Sequence, residues 1–312
     1  MSWHMLAAAA AAVTSATTAP TDPPASQSDV EVLQLEHERY ERLTVPVTIQ
    51  GQGPFDFIID TGAQATVLSH DLADLLQLYD RKPATLVAMA SRLPIETVDV
   101  AGVTLGSRNF YIQTAPLVDA AHMGDADGIL GLDSLQNQRV LLDFVKQEIS
   151  VADADELGGN RGFEIIVKAR RRLGQLIITR AMLDGIMTAV IIDTGAQSSV
   201  GNPALFRKLR RARSLGETIL TDVNGQQLTG SVMLARQLSV QRVSLSNFPI
   251  LFADAPPFHT LGLDNEPALI LGMRELKLFR RVAIDFKDRQ ILFDLPRNVR
   301  PFDSMYGGRV GL

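Results

Sequence analysis

The chain has no cysteine, one tryptophan and only five histidines in 312 residues. Without cysteine it holds no disulfide, no thiolate-bound zinc or iron–sulfur cluster and no thiol nucleophile. The histidines (His4, His37, His70, His122, His259) are scattered, with no i, i+4 pair and no His-Glu-x-x-His spacing. They read as surface or packing residues, so no metal and no other cofactor is expected. Basic charge is not in surplus either: 30 Lys and Arg against 35 Asp and Glu leave a net charge of −5. That is the opposite of the basic footprint of a nucleic-acid binder, and nucleic acid is excluded as a partner. The 13 phenylalanines and the lone tryptophan form no stacking platform for single strands. No segment reaches the roughly 18 apolar residues of a membrane span, so no integral membrane span is expected.

The first thirty residues lack lysine and arginine altogether. Met5 to Val13 is an apolar, mostly alanine run, followed by Thr14-Ser15-Ala16 and a Pro/Thr/Ser tract to Ser28. The run is too short to cross a bilayer, but it suits the apolar stretch of a secretory signal with small residues at a cleavage point. That reading places the mature protein in the periplasm or outside the cell, although the positively charged start of such a signal is missing. An alanine-rich disordered tail on a cytoplasmic protein is the alternative.

What is present is a repeat. Residues 58–64 read Ile-Ile-Asp-Thr-Gly-Ala-Gln, and residues 191–197 read the same heptapeptide. Repeats of this kind organise a whole fold. The flanks agree: Val45–Ile49, a Gly51-Gln52-Gly53 turn and Phe55–Phe57 precede the first copy. Leu176–Thr179, an Asp184-Gly185 turn and Ala189-Val190 precede the second. Both predict a β-hairpin whose second strand runs into the Asp-Thr-Gly. Downstream, Asp127–Leu132 parallels Ala268–Met273, each followed by a short helical stretch (Ser134–Gln138 and Arg274–Phe279). Val140–Phe144 then parallels Val282–Phe286. Val/Ile/Leu/Thr-rich alternation fills the remainder, so both units are mainly β. The expected helices are Asp71–Leu78 and Pro203–Arg213. The pattern breaks near Asp153–Arg161, which divides the chain into a leader (1–30), a first lobe (31–157) and a second lobe (158–312).

One Asp-Thr-Gly is an ordinary turn sequence. Two in equivalent places of a duplicated fold are brought together at an approximate two-fold axis. Asp60 and Asp193 would then face each other. Two adjoining carboxyls cannot both ionise cheaply, so they share a proton and titrate as a pair. Such a pair can take a proton from a water attacking a carbonyl carbon while giving one to the carbonyl oxygen. Around them Thr61 and Thr194 offer hydroxyls for bonds across the seam. Gly62 and Gly195 let backbone N–H groups approach, and Ala63 and Ala196 keep the axis uncrowded.

With these residues the chain resembles the aspartic protease superfamily, and the Asp-Thr-Gly-Ala form is most similar to its retropepsin branch. The second family signature, apolar-apolar-Gly, is matched by Ile129-Leu130-Gly131 and Ile270-Leu271-Gly272. The resemblance covers residues 40–295 and implies a bilobal, double-psi β-barrel-like aspartic-protease fold. Its two homologous lobes would be related by a pseudo-two-fold axis with the active site between them, a tandem known among bacterial proteins. It implies an aspartic endopeptidase acting on polypeptide, with Asp60 and Asp193 catalytic and the apolar-Gly segments as scaffold. A monomer is expected because both lobes lie in one chain. The alternative is a catalytically silent module that holds peptides without cutting them.

The family also closes its cleft with a flap. Candidates are Thr85–Val98, with Met89–Arg92 as tip, and Thr218–Val232, with Asn224-Gly225 as a two-residue turn; an ordinary surface hairpin is the competing reading of each. The basic runs Arg207–Arg213 and Lys168–Arg172 read as solvated faces.

Overall fold

Val45, Val47 and Ile49 of the strand Thr44–Ile49 point inward and are buried, while Pro46 between them faces out. This period of two is what a strand with one covered face requires. The next strand, Gln52–Ile59, is solvent-facing at its start and buried throughout Phe57-Ile58-Ile59, where it enters the interior. The computed structural model describes residues 10–12, 44–106, 108–124, 126–209 and 213–296. The leader lies outside them except for Ala10–Ala12, a short strand antiparallel to Ile219–Thr221.

Both hairpins that carry the repeated heptapeptide turn on two residues with positive φ. These are Gln50 (54°) with Gly51 (75°) and Asp184 (47°) with Gly185 (81°). Such a pair matches the right-handed twist of the flanking strands. The first turn therefore falls earlier than the predicted Gly51-Gln52-Gly53, and Gln52 already belongs to the second strand.

The two halves then repeat one topology. In the first, the sheet order is Thr44–Ile49, Gln52–Ile59, Gly128–Leu130, Val67–Ser69, Arg108–Val118, Arg92–Leu105, Lys82–Val87. In the second the same seven-strand order recurs as Gln175–Leu183, Ile186–Ile192, Ala268–Leu271, Val200–Gly201, Val243–Phe252, Gln227–Val240, Arg213–Thr221, with Arg170–Arg172 added beside the first of these and Ala10–Ala12 beside the last. Each sheet curls back on itself, since Thr44–Ile49 also pairs with Arg92–Leu105 and Gln175–Leu183 with Gln227–Val240. The chain is thus mainly β and bilobal, with two barrel-like lobes.

A third sheet joins them. Arg139–Asp143 of the first half pairs antiparallel with Arg281–Asp285 of the second, and Glu148–Ala152, Gln290–Asp294 and Ile165–Lys168 complete it. Val140, Leu142, Val282 and Ile284 are all buried there. The ion pair of Arg139 with Asp285, 2.6 Å long, is sealed in at the same place. One hydrophobic cluster runs through both halves, including Ile59, Leu130 and Val140 with Ile192, Leu271 and Ile284.

Helices are few and shorter than predicted. The first spans His70–Leu75, started by Ser69, whose side chain accepts the Leu72 N–H, and it is followed closely by Gln77 in the left-handed region. The second, Pro203–Lys208, is capped by Asn202 and stops at Leu209. Arg213 already opens a strand, and residues 210–212 of the basic run lie outside the described residues. After the apolar-Gly segments come single turns, Leu132–Leu135 and Met273–Leu276.

The two candidate flaps are both hairpins: Lys82–Val87 with Arg92–Leu105, and Arg213–Thr221 with Gln227–Val240. The second tip differs from the predicted Asn224-Gly225 turn. Val223, Asn224 and Gly225 form a three-residue loop closed by the Asp222 N–H on the Gln226 carbonyl at 2.8 Å. Of the three only Gly225 takes positive φ, the pattern of a type I turn followed by a left-handed glycine.

Candidate active site

Each aspartate is held where a buried strand stops. Ile58 pairs in parallel register with Ile129, and Ile191 with Ile270. One step further, the Asp60 N–H donates to the Leu130 carbonyl at 3.0 Å and the Asp193 N–H to the Leu271 carbonyl at 3.1 Å. The apolar-Gly segments therefore lie alongside the strands that deliver the aspartates. The loops beyond are pinned as well, Leu132 N–H to the Ala63 carbonyl and Met273 N–H to the Ala196 carbonyl, both at 2.8 Å. A side chain on Gly131 would overlap the Ala65 carbonyl, so the close crossing of these segments requires glycine there.

At the seam the loops grip each other. The Thr61 N–H donates to Thr194 Oγ1 at 3.0 Å, and the Thr194 N–H to Thr61 Oγ1 at 3.2 Å. Thr61 Oγ1 donates to the Ile192 carbonyl at 2.9 Å, and Thr194 Oγ1 to the Ile59 carbonyl at 2.7 Å. Asp60 Oδ1 accepts the N–H groups of Gly62 and Ala63 at 2.7 and 3.0 Å. Asp193 Oδ1 accepts those of Gly195 and Ala196 at 2.9 and 3.0 Å. A Cβ on Gly62 would fall on the Asp193 carboxyl, and one on Gly195 on the Asp60 carboxyl. All the predicted residues of the two loops are thus brought to one place.

Each carboxyl thus lies against the glycine of the opposite loop, close enough for the Asp60 charge to act on Asp193, and both residues are buried. Asp193 is held well above the usual carboxylate range, first by burial and then by the adjacent Asp60 charge, against the opposing Ala196 and Gly195 N–H bonds. Burial and a like charge both favour the neutral form. The pair is therefore built to keep a proton that isolated carboxyls would lose.

Behind each loop stands a hydroxyl at the same place in both repeats, and sequence reasoning passes over both. Thr66 Oγ1 accepts the Gly131 N–H at 3.1 Å, donates to Asp133 Oδ1 at 2.6 Å and lies 2.7 Å from Ser134 Oγ. Ser199 Oγ accepts the Gly272 N–H at 3.1 Å and donates to Glu275 Oε2 at 2.5 Å. Glu275 is buried and its carboxyl is pushed up to about 7, chiefly by loss of solvent. The recurrence of a hydroxyl after each heptapeptide is the available signal, whereas nothing in the sequence marks Glu275 as buried.

A cavity of about 310 Å³ lies against Asp193 and is lined on one side by the first candidate flap hairpin. Its walls are mainly apolar, among them Ala63, Leu86, Ile129 and Ile270. Gln175 also lines it and donates its amide to the Gly62 carbonyl at 2.6 Å, tying the second lobe to the first loop. Both candidate flaps reach this space, through Met89 and Val223.

Comparison with known families agrees with this arrangement half by half. Residues 45–137 match the family described as gag-polyprotein putative aspartyl protease, and residues 179–274 match the family described as aspartyl protease. No curated protein sequence matches the chain. Among solved structures it is similar to a retropepsin-like aspartic protease from Rickettsia conorii. That likeness has 18% identity and a TM-score of 0.29, over 42% of this chain and 90% of the other. Among the described residues no helix is long and apolar enough to cross a membrane. The chain thus carries an aspartyl-protease family match on each half, in tandem, over one strand order repeated in both.

Proposed function

We propose that the protein is an aspartic endopeptidase that hydrolyses peptide bonds through the Asp60–Asp193 pair and a water held between them. The observation that carries this reading is the meeting of two buried carboxyls, one from each half, each against the opposite loop's glycine, with Asp193 favouring its protonated form. Asp60, the ionised partner, takes a proton from the water as its oxygen attacks the scissile carbonyl carbon. Asp193 gives its proton to the carbonyl oxygen, so a neutral gem-diol forms without free charge. As the C–N bond breaks, Asp60 passes its proton to the leaving nitrogen and Asp193 recovers one from a diol hydroxyl. The pair returns to its singly protonated state. The threonine grip supports this role because it fixes the two loops, and with them the two carboxyls, relative to each other.

The test is cleavage of an unfolded protein or a peptide library by the purified chain, with Asp60→Asn and Asp193→Asn each expected to abolish it. Cleavage that survives either substitution removes the pair from the mechanism. A peptide carrying a hydroxyl in place of the scissile carbonyl is expected to bind, since it resembles the hydrated transition state. Binding of peptides without turnover is the outcome that favours a silent binding module instead. Both aspartates come from one chain, so the reading includes a monomeric enzyme, tested by sedimentation. It also includes export to the periplasm or beyond, which rests on the leader alone and is tested by fractionation of cells expressing the full chain.

A further inference from the structure

The two candidate flap hairpins, whose tips form a roof over the cavity, cross. Met89, at the tip of the first, is buried among second-half residues that include Ile191, Leu220, Phe258 and Ile270. Val223, at the tip of the second, is buried among first-half residues that include Ile58, Val67, Met123 and Ile129. At the crossing sits Asp222, with 0% of its surface exposed. Its Oδ1 accepts the N–H groups of Asn224 and Gln226 at 2.9 and 3.0 Å and so shapes its own turn. Its Oδ2 accepts the Ala90 N–H at 3.0 Å and the Ser91 hydroxyl at 2.6 Å, both from the opposite hairpin. Asn224 Nδ2 adds a bond to Ser91 Oγ at 2.8 Å.

A buried carboxylate is tolerated only while donors fill its lone pairs. Here the donors come from both hairpins, so the closed roof satisfies the group completely. A fully opened roof satisfies it with water. Anything between leaves a dry, half-paired carboxylate, which is costly, and the roof therefore has two preferred states rather than a continuum. Met89 and Val223 also wall the cavity against Asp193, so an extended chain reaches the pair by parting these tips.

We propose that Asp222 is a latch that bolts the two roof hairpins shut, and that its release controls access to the cleft. The functional half of this statement rests on the protease reading; the latch itself does not. The experiment is backbone hydrogen exchange on the full chain, wild type against Asp222→Asn and Ser91→Ala. The readout is the rate at the tips (88–91 and 222–226) relative to the joining sheet at Val140 and Ile284. Asp222→Asn replaces one acceptor oxygen by an amide donor, which cannot take the bonds of both hairpins, and Ser91→Ala removes the hydroxyl. The tip-to-sheet ratio is expected to rise about tenfold or more in the first variant and severalfold in the second. Using the ratio removes any general loss of stability from the reading. An unchanged ratio in both variants overturns the latch. The hydroxyl-bearing peptide is also expected to associate faster with both variants. A changed ratio in a protein that never cuts peptide keeps the latch and rejects the protease, and cutting with an unchanged ratio does the reverse.

Discussion

Thr61 and Thr194 hold one another by their backbones: the N–H of each donates to the hydroxyl of the other, and each hydroxyl donates onward to the strand end in the opposite lobe. Neither loop is therefore complete without its partner. Thr194→Val keeps the shape but leaves the Thr61 N–H and the Ile59 carbonyl buried without partners. At about 1–3 kcal/mol for each orphaned group, the expected loss of stability is about 2–6 kcal/mol. Thr194→Ser, which keeps the hydroxyl, is expected to lose far less. Urea unfolding of both variants is the measurement.

The raised Asp193 carboxyl ties stability to pH. Its ordinary value is 3.8, and in the fold it lies well above that. The neutral form is favoured by folding, so this contribution is full below about 4 and is lost as pH climbs toward the folded value. Asp193→Asn mimics the neutral form and cannot ionise. The variant is therefore expected to be inactive yet to gain melting temperature over wild type at neutral pH, with the gain vanishing near pH 3. A melting-temperature series across pH tests both the sign and the window.

Glu275 follows the same rule at a defined position on the pH scale. Its carboxyl moves from 4.5 to about 7 on folding, mainly through burial. Wild type is expected to lose about 3 kcal/mol between pH 4.5 and pH 7 from this group, at about 1.4 kcal/mol for each pH unit of displacement. Glu275→Gln keeps an acceptor for the Ser199 hydroxyl and removes the ionisation. Chemical denaturation at pH 4 and pH 8 is expected to show a smaller pH dependence in the variant by about that amount.

Gly195→Ala tests the closeness of the two loops, because the added methyl would sit on the Asp60 carboxyl. The expected result is loss of cleavage together with destabilisation of about 1–3 kcal/mol from overpacking. A variant that is stable but inactive would mean that the loops move apart just enough to separate the carboxyls. One that is both stable and active would mean that the seam is looser than its geometry shows.

The roof shows where reading the chain directly stops. Both hairpins are visible as alternating strands around a turn, yet the Asn224-Gly225 pair points to a two-residue loop. The structure instead commits Asn224 to Ser91, because a side-chain amide at a crossing can serve the opposite lobe. A similar limit applies to the helices. Apolar spacing marks where they begin, but Gln77 in the left-handed region and the break at Leu209 end them early.

The duplication, the mainly β character and the delivery of an aspartate at the end of a buried strand in each half are all written in the chain itself. They follow from nearest-neighbour rules: alternation of buried and exposed residues, turn residues with positive φ, and one heptapeptide written twice. How the halves meet is settled only when they pack. Asp222 reaches Ala90 across 132 residues and Ser199 reaches Glu275 across 76, and neither partner carries a local mark. Whether a carboxyl is dry, shared or bolted depends on which distant donors arrive beside it, and no stretch of neighbouring residues contains that information.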